Sequence, residues 1–275
     1  GGSIAIARHL ANFCNEVSVL SFLGEDDEYR SFIENNVEQN INLHLLNKAD
    51  SPTIVKRRFV DNIDRKKILG VYSINDNRLN ASDENLFIES FDKLSNDIDL
   101  VIVSDYGHGV ITPKIAKHIS KSKKFVSLNA QVNAANIGTH SIRKYNDIDC
   151  LIINANELCH EMRQRDGDLE KLANKLQQDI KAEYISVTQG KKGAFISNGK
   201  SAPITCPGFA STVVDKVGSG DALLALLSIC LYNKIEENLS LFIASIAAAQ
   251  SVESIGTSRP VSKILLLKTI AHFLK

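Results

Sequence analysis

Short apolar runs bounded by turn residues recur along the chain. They cover residues 17–22, 100–103, 125–128, 150–153 and 184–187. Between them lie segments with helical spacing, in which apolar residues return at steps of three and four: Leu169, Leu172, Leu176 and Ile180 are one such set. Strands that alternate with helices predict an α/β fold, with a parallel sheet covered by helices on both faces.

Further helices follow from the same spacing. Residues 83–94 and 112–121 fit it, and Ser82 and Thr112 are the expected N-caps. Towards the end of the chain, residues 239–252 are rich in Ala and residues 263–274 form another helical segment. The segment from Asp221 to residue 233 is apolar almost all round, which predicts a buried helix.

One stretch breaks the alternation of strands and helices. Residues 53–60 and 66–73 are two β-prone runs about five residues apart, which predicts a hairpin. One side of the first run is charged, as expected of a lid or a dimer edge rather than a core strand. We therefore expect residues 49–75 to form a β lid, and residues 1–48 and 76–275 to form the core.

Composition narrows the class of partner. The chain has 275 residues, of which 44% are hydrophobic, so it can bury a large core. The 32 Lys and Arg residues balance 32 Asp and Glu residues, and the formal net charge is zero. This balance excludes the electrostatic pattern of a general nucleic-acid or anionic-membrane binder. A small molecule is the expected ligand.

The cysteines and the start of the chain bear on location. The five Cys include no C-x-x-C pair and three lie in apolar segments, which favours reduced thiols and a cytoplasmic protein. The longest mainly apolar run, residues 222–231, is about half of the roughly 20 residues that a membrane helix needs. The start, Gly-Gly-Ser-Ile-Ala, has no initiator Met and no basic region of a secretory signal. We expect the chain to begin inside a longer protein.

The segment richest in chemistry is residues 214–222, Val-Asp-Lys-Val-Gly-Ser-Gly-Asp-Ala, directly before the apolar helix. Gly218, Ser219 and Gly220 allow a tight turn with bare backbone N–H groups, and a helix start adds partial positive charge. Together they predict an anion hole. Asp221, in the first turn, suits either a helix cap or a general base. These four residues alone fit a plain capped turn equally well.

Two further segments favour a ligand-binding site over a plain capped turn. Residues 187–195 predict a strand, a turn containing Gly190 and Gly193, and a second strand, as required where backbone approaches a nucleotide closely. Asn154 and Glu157 follow the apolar strand at residues 151–153. Open α/β sheets bind ligands at the carboxyl ends of their strands, so these polar groups are expected at a binding site.

The order of these motifs resembles that of the ribokinase-like, phosphofructokinase B-type carbohydrate kinases. The motifs are Gly-Gly near the start, N-x-x-E, T-x-G-x-x-G and D-x-x-G-[AS]-G-D, and they span nearly the whole chain. Residues 104–109, Ser-Asp-Tyr-Gly-His-Gly, resemble the S-D-Y-G-x-G segment of heptose 7-phosphate kinases, the kinase half of ADP-heptose synthases. The resemblance implies a three-layer αβα core, a β lid at residues 53–73, and transfer of the ATP γ-phosphoryl group to a sugar hydroxyl.

The resemblance also implies roles for single residues. Asp221 matches the catalytic base, and Gly218, Ser219 and Gly220 match the anion hole for the transferring phosphoryl group. The expected nucleotide side comprises Thr188, Gly190, Gly193, Asn154 and Gly256, the last where relatives sometimes hold a monovalent cation. The expected metal-binding residues are Glu157, which would hold magnesium through water, and Asp215. The expected sugar side comprises Gly1, Gly2, Asp105, His108 and Arg58. A homodimer through the lid is expected too.

Some positions depart from the family pattern. The first strand of the family would lie before Gly1, Ala5 stands where an Asn commonly contacts the sugar, and Lys216 replaces the usual Thr. Asn129 replaces an Asp of the heptose kinases. An alternative is therefore a catalytically weak pseudokinase that binds nucleotide or sugar as a sensor. A dinucleotide-dependent oxidoreductase is disfavoured, because no G-x-G-x-x-G follows the first strand of a βαβ unit.

Overall fold

The computed structural model describes residues 2–61, 67–132, 136, 138, 140–210 and 212–273. The strands are β1 Val17–Gly24, β2 Ile41–Lys48, β3 Val55–Val60, β4 Lys67–Ser73, β5 Leu100–Asp105, β6 Phe125–Ala130, β7 Cys150–Asn154, β8 Tyr184–Thr188, β9 Ala194–Ser197 and β10 Ile204–Cys206. The helices are α1 Ser3–Ala11, α2 Arg30–Glu34, α3 Ala81–Ser95, α4 Pro113–Ser120, α5 Ala155–Glu161, α6 Leu169–Ile180, α7 Ser219–Tyr232, α8 Glu237–Ser251 and α9 Lys263–Phe273. The five strands predicted from apolar runs are confirmed as β1, β5, β6, β7 and β8.

The main sheet has six strands in the order β10-β9-β8-β7-β6-β5. Neighbouring strands from β5 to β8 are parallel, but β9 and β10 are antiparallel to their neighbours. The prediction of a parallel sheet is therefore confirmed for β5 to β8 and wrong at this edge. Only residues 189–193 connect β8 to β9. A parallel crossover needs a dozen or more residues, so this short connection forces an antiparallel return.

A second sheet pairs β1 with β2 in parallel, from Val17 opposite Ile41 to Gly24 opposite Lys48. The apolar-run pattern missed β2, because Asn42, His44 and Asn47 interrupt it.

Helices cover both faces of the main sheet, as the αβα prediction requires. One apolar cluster joins α1, α7 and α8 to side chains of β7 and β9, including Ile152 and Ile196. The other joins α3, α4 and α6 to the alternate side chains of the same strands, including Leu151 and Phe195. Helix α7 is buried on nearly all sides, as its sequence predicts, because α1 and α8 pack beside it.

Local capping sets the starts of α3 and α4. The Thr112 hydroxyl accepts a hydrogen bond from the Ile115 N–H at 3.3 Å, and Pro113 follows it at the first helical position. The prediction of Ser82 as the cap of α3 is wrong. Asn80 takes that place and accepts from the Asp83 N–H at 2.8 Å. Such a cap contributes about 1 kcal/mol to helix stability.

The predicted hairpin is formed by β3 and β4, which pair in an antiparallel two-stranded sheet of their own. Its turn, at residues 62–66, lies outside the described residues. Lys56 pairs with Tyr72 on one face, whereas Arg57 pairs with Val71 on the other. The boundaries at residues 49 and 75 stay a prediction.

All five cysteines are free thiols, and Cys150, Cys206 and Cys230 are buried. In the part of the chain that the structure covers, every helix is too short or too polar to cross a membrane.

Candidate active site

Polar residues end three of the four parallel strands of the main sheet, at the same edge of the sheet. Asp105 ends β5, Asn154 ends β7 and Thr188 ends β8, and Asn154 lies directly opposite Thr188. Helix α7 packs against β5, β6 and β7. The carboxyl edge of the parallel strands thus gathers the predicted site residues, as expected for this sheet topology.

The turn into α7 has the geometry of an anion hole. Gly218 is the N-cap with φ +96°, and its carbonyl accepts from the Ala222 N–H at 3.0 Å. The first N–H groups of a helix have no acceptor within the helix, so those that follow Gly218 are available to an anion. A Cβ added to Gly220 would have no atom within 4 Å. The space above this turn is open to a ligand.

Asp215 holds this turn to a second loop. Its Oδ1 accepts from the Val217 N–H at 3.0 Å and its Oδ2 from the Gly256 N–H at 2.9 Å. Next to Gly256, the Thr257 carbonyl accepts from Arg8 Nη1 at 3.3 Å. The structure therefore brings Asp215 and Gly256 into direct contact, although the sequence predicted them for different ligands.

Asp221 lies in the first turn of α7 and is 8% exposed. Burial is the largest influence on its pKa and raises it to about 6, and the Tyr106 hydroxyl, which donates a hydrogen bond to the carboxylate, is one of the groups that oppose that rise. At neutral pH the carboxylate is ionised, yet its pKa is close enough to neutrality to accept a proton efficiently. These are the properties of a general base.

Asn154 and Glu157 form a capping box at the start of α5. The Asn154 side chain accepts from the Glu157 N–H at 2.9 Å, and Glu157 Oε2 accepts from the Asn154 N–H at 3.0 Å. Burial raises the pKa of Glu157. This motif has a structural role by itself. The remaining lone pairs of the Glu157 carboxylate could still accept from a metal-bound water.

The described residues offer few protein ligands for magnesium. Among the described residues, no group of three or more His, Cys, Asp and Glu side chains could hold a metal ion. Magnesium commonly binds through one or two carboxylates together with substrate phosphates. Glu157 lies at the sheet edge, next to Asn154 in the capping box. It is a single carboxylate of the kind that binds magnesium together with substrate phosphates.

The two glycines of the β8–β9 turn differ in their surroundings. A Cβ on Gly193, where φ is +90°, would lie 2.0 Å from the Cys206 carbonyl oxygen. Glycine is therefore required there by packing against β10. A Cβ on Gly190 would meet nothing within 4 Å. Only Gly190 borders open space where a nucleotide could approach.

Asp105 anchors the loop that follows β5. It is 3% exposed. Its Oδ1 accepts from the Gly107 N–H at 2.9 Å, and its Oδ2 lies 2.6 Å from Lys144 Nζ and 2.7 Å from the Tyr145 hydroxyl. The protein's own groups thus engage the carboxylate that we predicted to contact sugar. Lys144 and Tyr145 lie 39 and 40 residues further along in no recognisable motif, and the sequence pattern missed them.

His108 connects the same loop to the lid. Lys56 Nζ lies 2.8 Å from its Nε2, and Asp76 Oδ1 lies 2.7 Å from its Nδ1. An ammonium group can only donate, so Nε2 accepts and Nδ1–H donates to Asp76. The imidazole is neutral in this arrangement, and burial lowers its pKa. Arg58, two residues after Lys56, is exposed on the same face of β3.

The remaining predicted sugar residues are Gly1 and Gly2. Gly1 lies outside the described residues. Gly2 caps α1 with φ +63° and lies against the ring of Tyr106. The sequence analysis placed Tyr106 within the S-D-Y-G-x-G segment but assigned it no role, because its contacts are with three distant segments of the chain.

A three-layer αβα fold with an anion-binding turn at a helix start and a carboxylate beside it defines a ribokinase-like kinase domain. The chain belongs to the pfkB family of carbohydrate kinases, whose family profile matches residues 1–264. Two solved structures agree in fold. Phosphofructokinase-2 from Escherichia coli in complex with potassium has a TM-score of 0.78 at 14% identity and covers 100% of this chain and 88% of its own. Arabidopsis thaliana ribokinase complexed with ribose and ATP has a TM-score of 0.72 at 19% identity and covers 98% and 87%.

The chain is also similar in sequence to longer proteins. The bifunctional protein HldE of Campylobacter jejuni subsp. jejuni serotype O:2 is 29% identical over 261 residues, which are 94% of this chain and 53% of that protein. The bifunctional protein HldE of Koribacter versatilis is 23% identical over 98% of this chain and 55% of its own length. The chain therefore spans about half the length of these relatives.

Proposed function

We propose that this chain is a kinase domain that transfers the γ-phosphoryl group of ATP to a hydroxyl of a sugar phosphate, with a heptose 7-phosphate as the preferred class. The observation that carries the proposal is the placement of Asp221. A buried carboxylate with a pKa of about 6 lies one residue from an open anion-binding turn. General base and phosphoryl site are thus adjacent, as phosphoryl transfer to an alcohol requires.

Asp221 accepts the proton of the acceptor hydroxyl as that oxygen forms its bond to the γ-phosphorus. The bond between the γ-phosphorus and the bridging oxygen breaks, and ADP leaves with the electron pair. The N–H groups at Ser219 and Gly220 donate to the phosphoryl oxygens while charge develops on them. The protein therefore contributes positioning of the reactants and electrostatic stabilisation of the phosphoryl group, which dominate catalysis of phosphoryl transfer.

The nucleotide is assigned to the side of the site that Thr188, Gly190, Gly193 and Gly256 border, with Gly193 shaping the turn. Asn154 and Glu157 would hold magnesium through water, and the ion would compensate phosphate charge. Asp215, in contact with Gly256, supplies carboxylate oxygen atoms suited to a monovalent cation, since each of these oxygens accepts only one of the observed N–H bonds.

The acceptor is assigned to the opposite side, where lid and loop meet. Lys56 and Arg58 lie on one face of β3, and Lys56 contacts His108. Cationic side chains of a lid suit an acceptor that carries a phosphate group. In this assignment Asp105 orients the loop and does not touch the sugar. The Ser-Asp-Tyr-Gly-His-Gly segment and the HldE relatives support heptose 7-phosphate among sugar phosphates.

The test is ATP consumption across a panel of sugars and sugar phosphates that includes fructose 6-phosphate and a heptose 7-phosphate. We expect turnover with a sugar phosphate and a fall of roughly 10²- to 10⁴-fold in kcat for Asp221→Asn, with little change in ATP affinity. Calorimetric binding of ATP or sugar phosphate without turnover of any acceptor would instead support the sensor alternative. Near-wild-type turnover in Asp221→Asn would refute the assignment of the base.

The lid supports a homodimer as a second part of the proposal. The face of the hairpin opposite Lys56 exposes Phe59, Leu69 and Val71. An isolated two-stranded hairpin is marginal in stability, and an exposed apolar sheet face favours association. A second copy, packed by two-fold symmetry, is the proposed occupant. The free thiols support a reducing location, the cytoplasm.

A further inference from the structure

Tyr106 lies where three elements of the site meet. A Cβ built on Gly2 would be 3.5 Å from its Cε2 and 3.8 Å from its hydroxyl oxygen, so the ring lies against the start of α1. Lys56 Nζ from the lid lies 5.5 Å from the ring centroid, in a cation–π position. The hydroxyl donates a hydrogen bond to Asp221 on α7.

The backbone around Tyr106 is held in place. Its carbonyl accepts from Asn136 Nδ2 at 2.9 Å, and the next N–H, that of Gly107, donates to Asp105. Asn136 is buried and bonds the Gln131 carbonyl as well. The phenol is therefore presented to Asp221 by a fixed loop and not by a free side chain at the surface.

A carboxylate has two oxygens and about four lone-pair positions. Tyr106 uses one of these positions, and a carboxylate has further positions at which an acceptor hydroxyl can donate. A hydrogen bond donated to the ionised form also favours ionisation, and thereby keeps the base unprotonated at lower pH.

We propose that Tyr106 is a positioning residue of this active site: its hydroxyl orients the Asp221 carboxylate and keeps it ionised, and its ring forms the wall of the acceptor pocket between Gly2 and the lid. The inference rests on the proposed function for the identity of the base. The charged groups that face the phenol are Asp221 from α7, Glu157 from α5 and Lys56 from β3.

Tyr106→Phe removes the hydroxyl and keeps the ring. We expect the apparent pKa of Asp221 to rise by roughly one unit, the order expected for one lost hydrogen bond to a carboxylate. The measurement is a ¹³C-carboxyl NMR titration, in which the Asp221 signal is the one missing from Asp221→Asn. The titration needs no substrate, because it measures proton binding by Asp221 directly. Tyr232→Phe, on α7 far along the helix from Asp221, is the matched control and should titrate like wild type.

A second experiment strengthens the hydrogen bond to Asp221, whereas Tyr106→Phe removes it. Biosynthetic replacement of tyrosine by 3-fluorotyrosine makes the phenol a stronger donor, so the Asp221 signal should titrate at lower pH than in wild type. With the sugar phosphate that the acceptor panel identifies, the acidic limb of kcat/KM should move in the same direction as the NMR titration in both proteins. Tyr106→Leu should raise the acceptor KM at least about fivefold and leave the ATP KM unchanged, because a wall of the pocket is lost.

The outcomes distinguish the role of Tyr106 from the proposed function of the chain. Superimposable titrations of wild type, Tyr106→Phe and the fluorotyrosine protein would overturn the role of Tyr106, even if Asp221→Asn abolished turnover. Full activity of Asp221→Asn would overturn the proposed function, whatever the titrations showed.

Discussion

At the scale of single residues, the burial that suits Asp221 to its proposed role as base also opposes folding. Its pKa is about 6 in the folded chain, against about 3.9 in an unfolded one. Between these values the folded state binds more protons than the unfolded state, so stability falls as pH rises through this window. At neutral pH the ionised carboxylate is buried, and its desolvation opposes folding.

Asp221→Asn should therefore stabilise the chain while it inactivates the site. We expect an increase in the free energy of unfolding of about 1 to 3 kcal/mol at pH 8, and almost none at pH 4, where both side chains are neutral. Urea unfolding at the two pH values measures this difference. Asp26→Asn, at an exposed position, should show no such pH dependence. Equal stabilities of Asp221→Asn and wild type at pH 8 would contradict the burial argument.

Substitutions of the two glycines in the anion-binding turn should have different effects on stability and on activity. Gly220 is exposed, and a methyl group there meets no atom within 4 Å. Gly220→Ala should leave stability unchanged or raise it by up to about 1 kcal/mol, because alanine favours helices. It should nevertheless lower kcat/KM for ATP by roughly tenfold or more, since the methyl group occupies the space for the phosphoryl group.

Gly218→Ala is the contrasting variant. Its φ of +96° and a 2.9 Å contact with Thr257 Cγ2 strain any added Cβ. We expect a loss of stability of at least about 1 to 2 kcal/mol together with the loss of activity. Thermal unfolding measures the stability of both variants, and steady-state kinetics with ATP measure their activity. If Gly220→Ala kept full activity, the turn would be a helix cap only.

At the scale of elements, the lid and the loop after β5 form one unit through Lys56, His108 and Asp76. The contact requires a neutral imidazole, because a protonated Nε2 would face the ammonium group as a second donor. Burial lowers the pKa of His108 below its ordinary value, so the contact persists at neutral pH and is lost as pH falls through that lowered pKa. Lys48 supports the unit by donating to the Asn75 and Asn77 carbonyls at 2.9 and 2.6 Å.

Lys56→Met keeps the apolar stem and removes the charge. We expect the KM for the sugar phosphate to rise by about tenfold or more, the range for a lost charge-assisted hydrogen bond, and the KM for ATP to stay unchanged. Arg57→Met is the control, because Arg57 lies on the opposite face of the same strand. Steady-state kinetics give both constants. An equal effect of the two substitutions would show that only the net charge of the lid matters.

At the scale of the whole molecule, the proposed dimer depends on the lid face that exposes Phe59, Leu69 and Val71. Val71 is 48% exposed on this face. Val71→Asp should convert a dimer to a monomer at tens of micromolar, because it places a charge in an apolar contact. Light scattering measures the mass. Ile264→Asp, at an exposed position of α9, is the control and should leave the mass unchanged. A wild-type monomer at this concentration would refute the shared lid.

Much of the architecture was predictable from local pattern. Apolar runs located β1 and β5 to β8, and the helical period located α3, α4, α6 and the three C-terminal helices. Both signals are local: burial of a strand on two faces demands continuous apolar residues, and burial of one helix face demands the 3.6-residue period. Pattern failed at β2, whose polar residues interrupt the run, and at the start of α3, where Asn80 and not Ser82 is the cap.

The sequence by itself determined the αβα fold class. It also predicted the anion-binding turn and Asp221 as the base, since backbone preferences of glycine and the helix start reside in neighbouring residues. Only the tertiary structure decided which polar groups meet. It paired Asp105 with Lys144 and Tyr145, joined Asp215 to Gly256, and placed Tyr106 beside Asp221. Such contacts join residues up to 115 positions apart. Their partners depend on the packing of whole elements, which no local period or motif encodes.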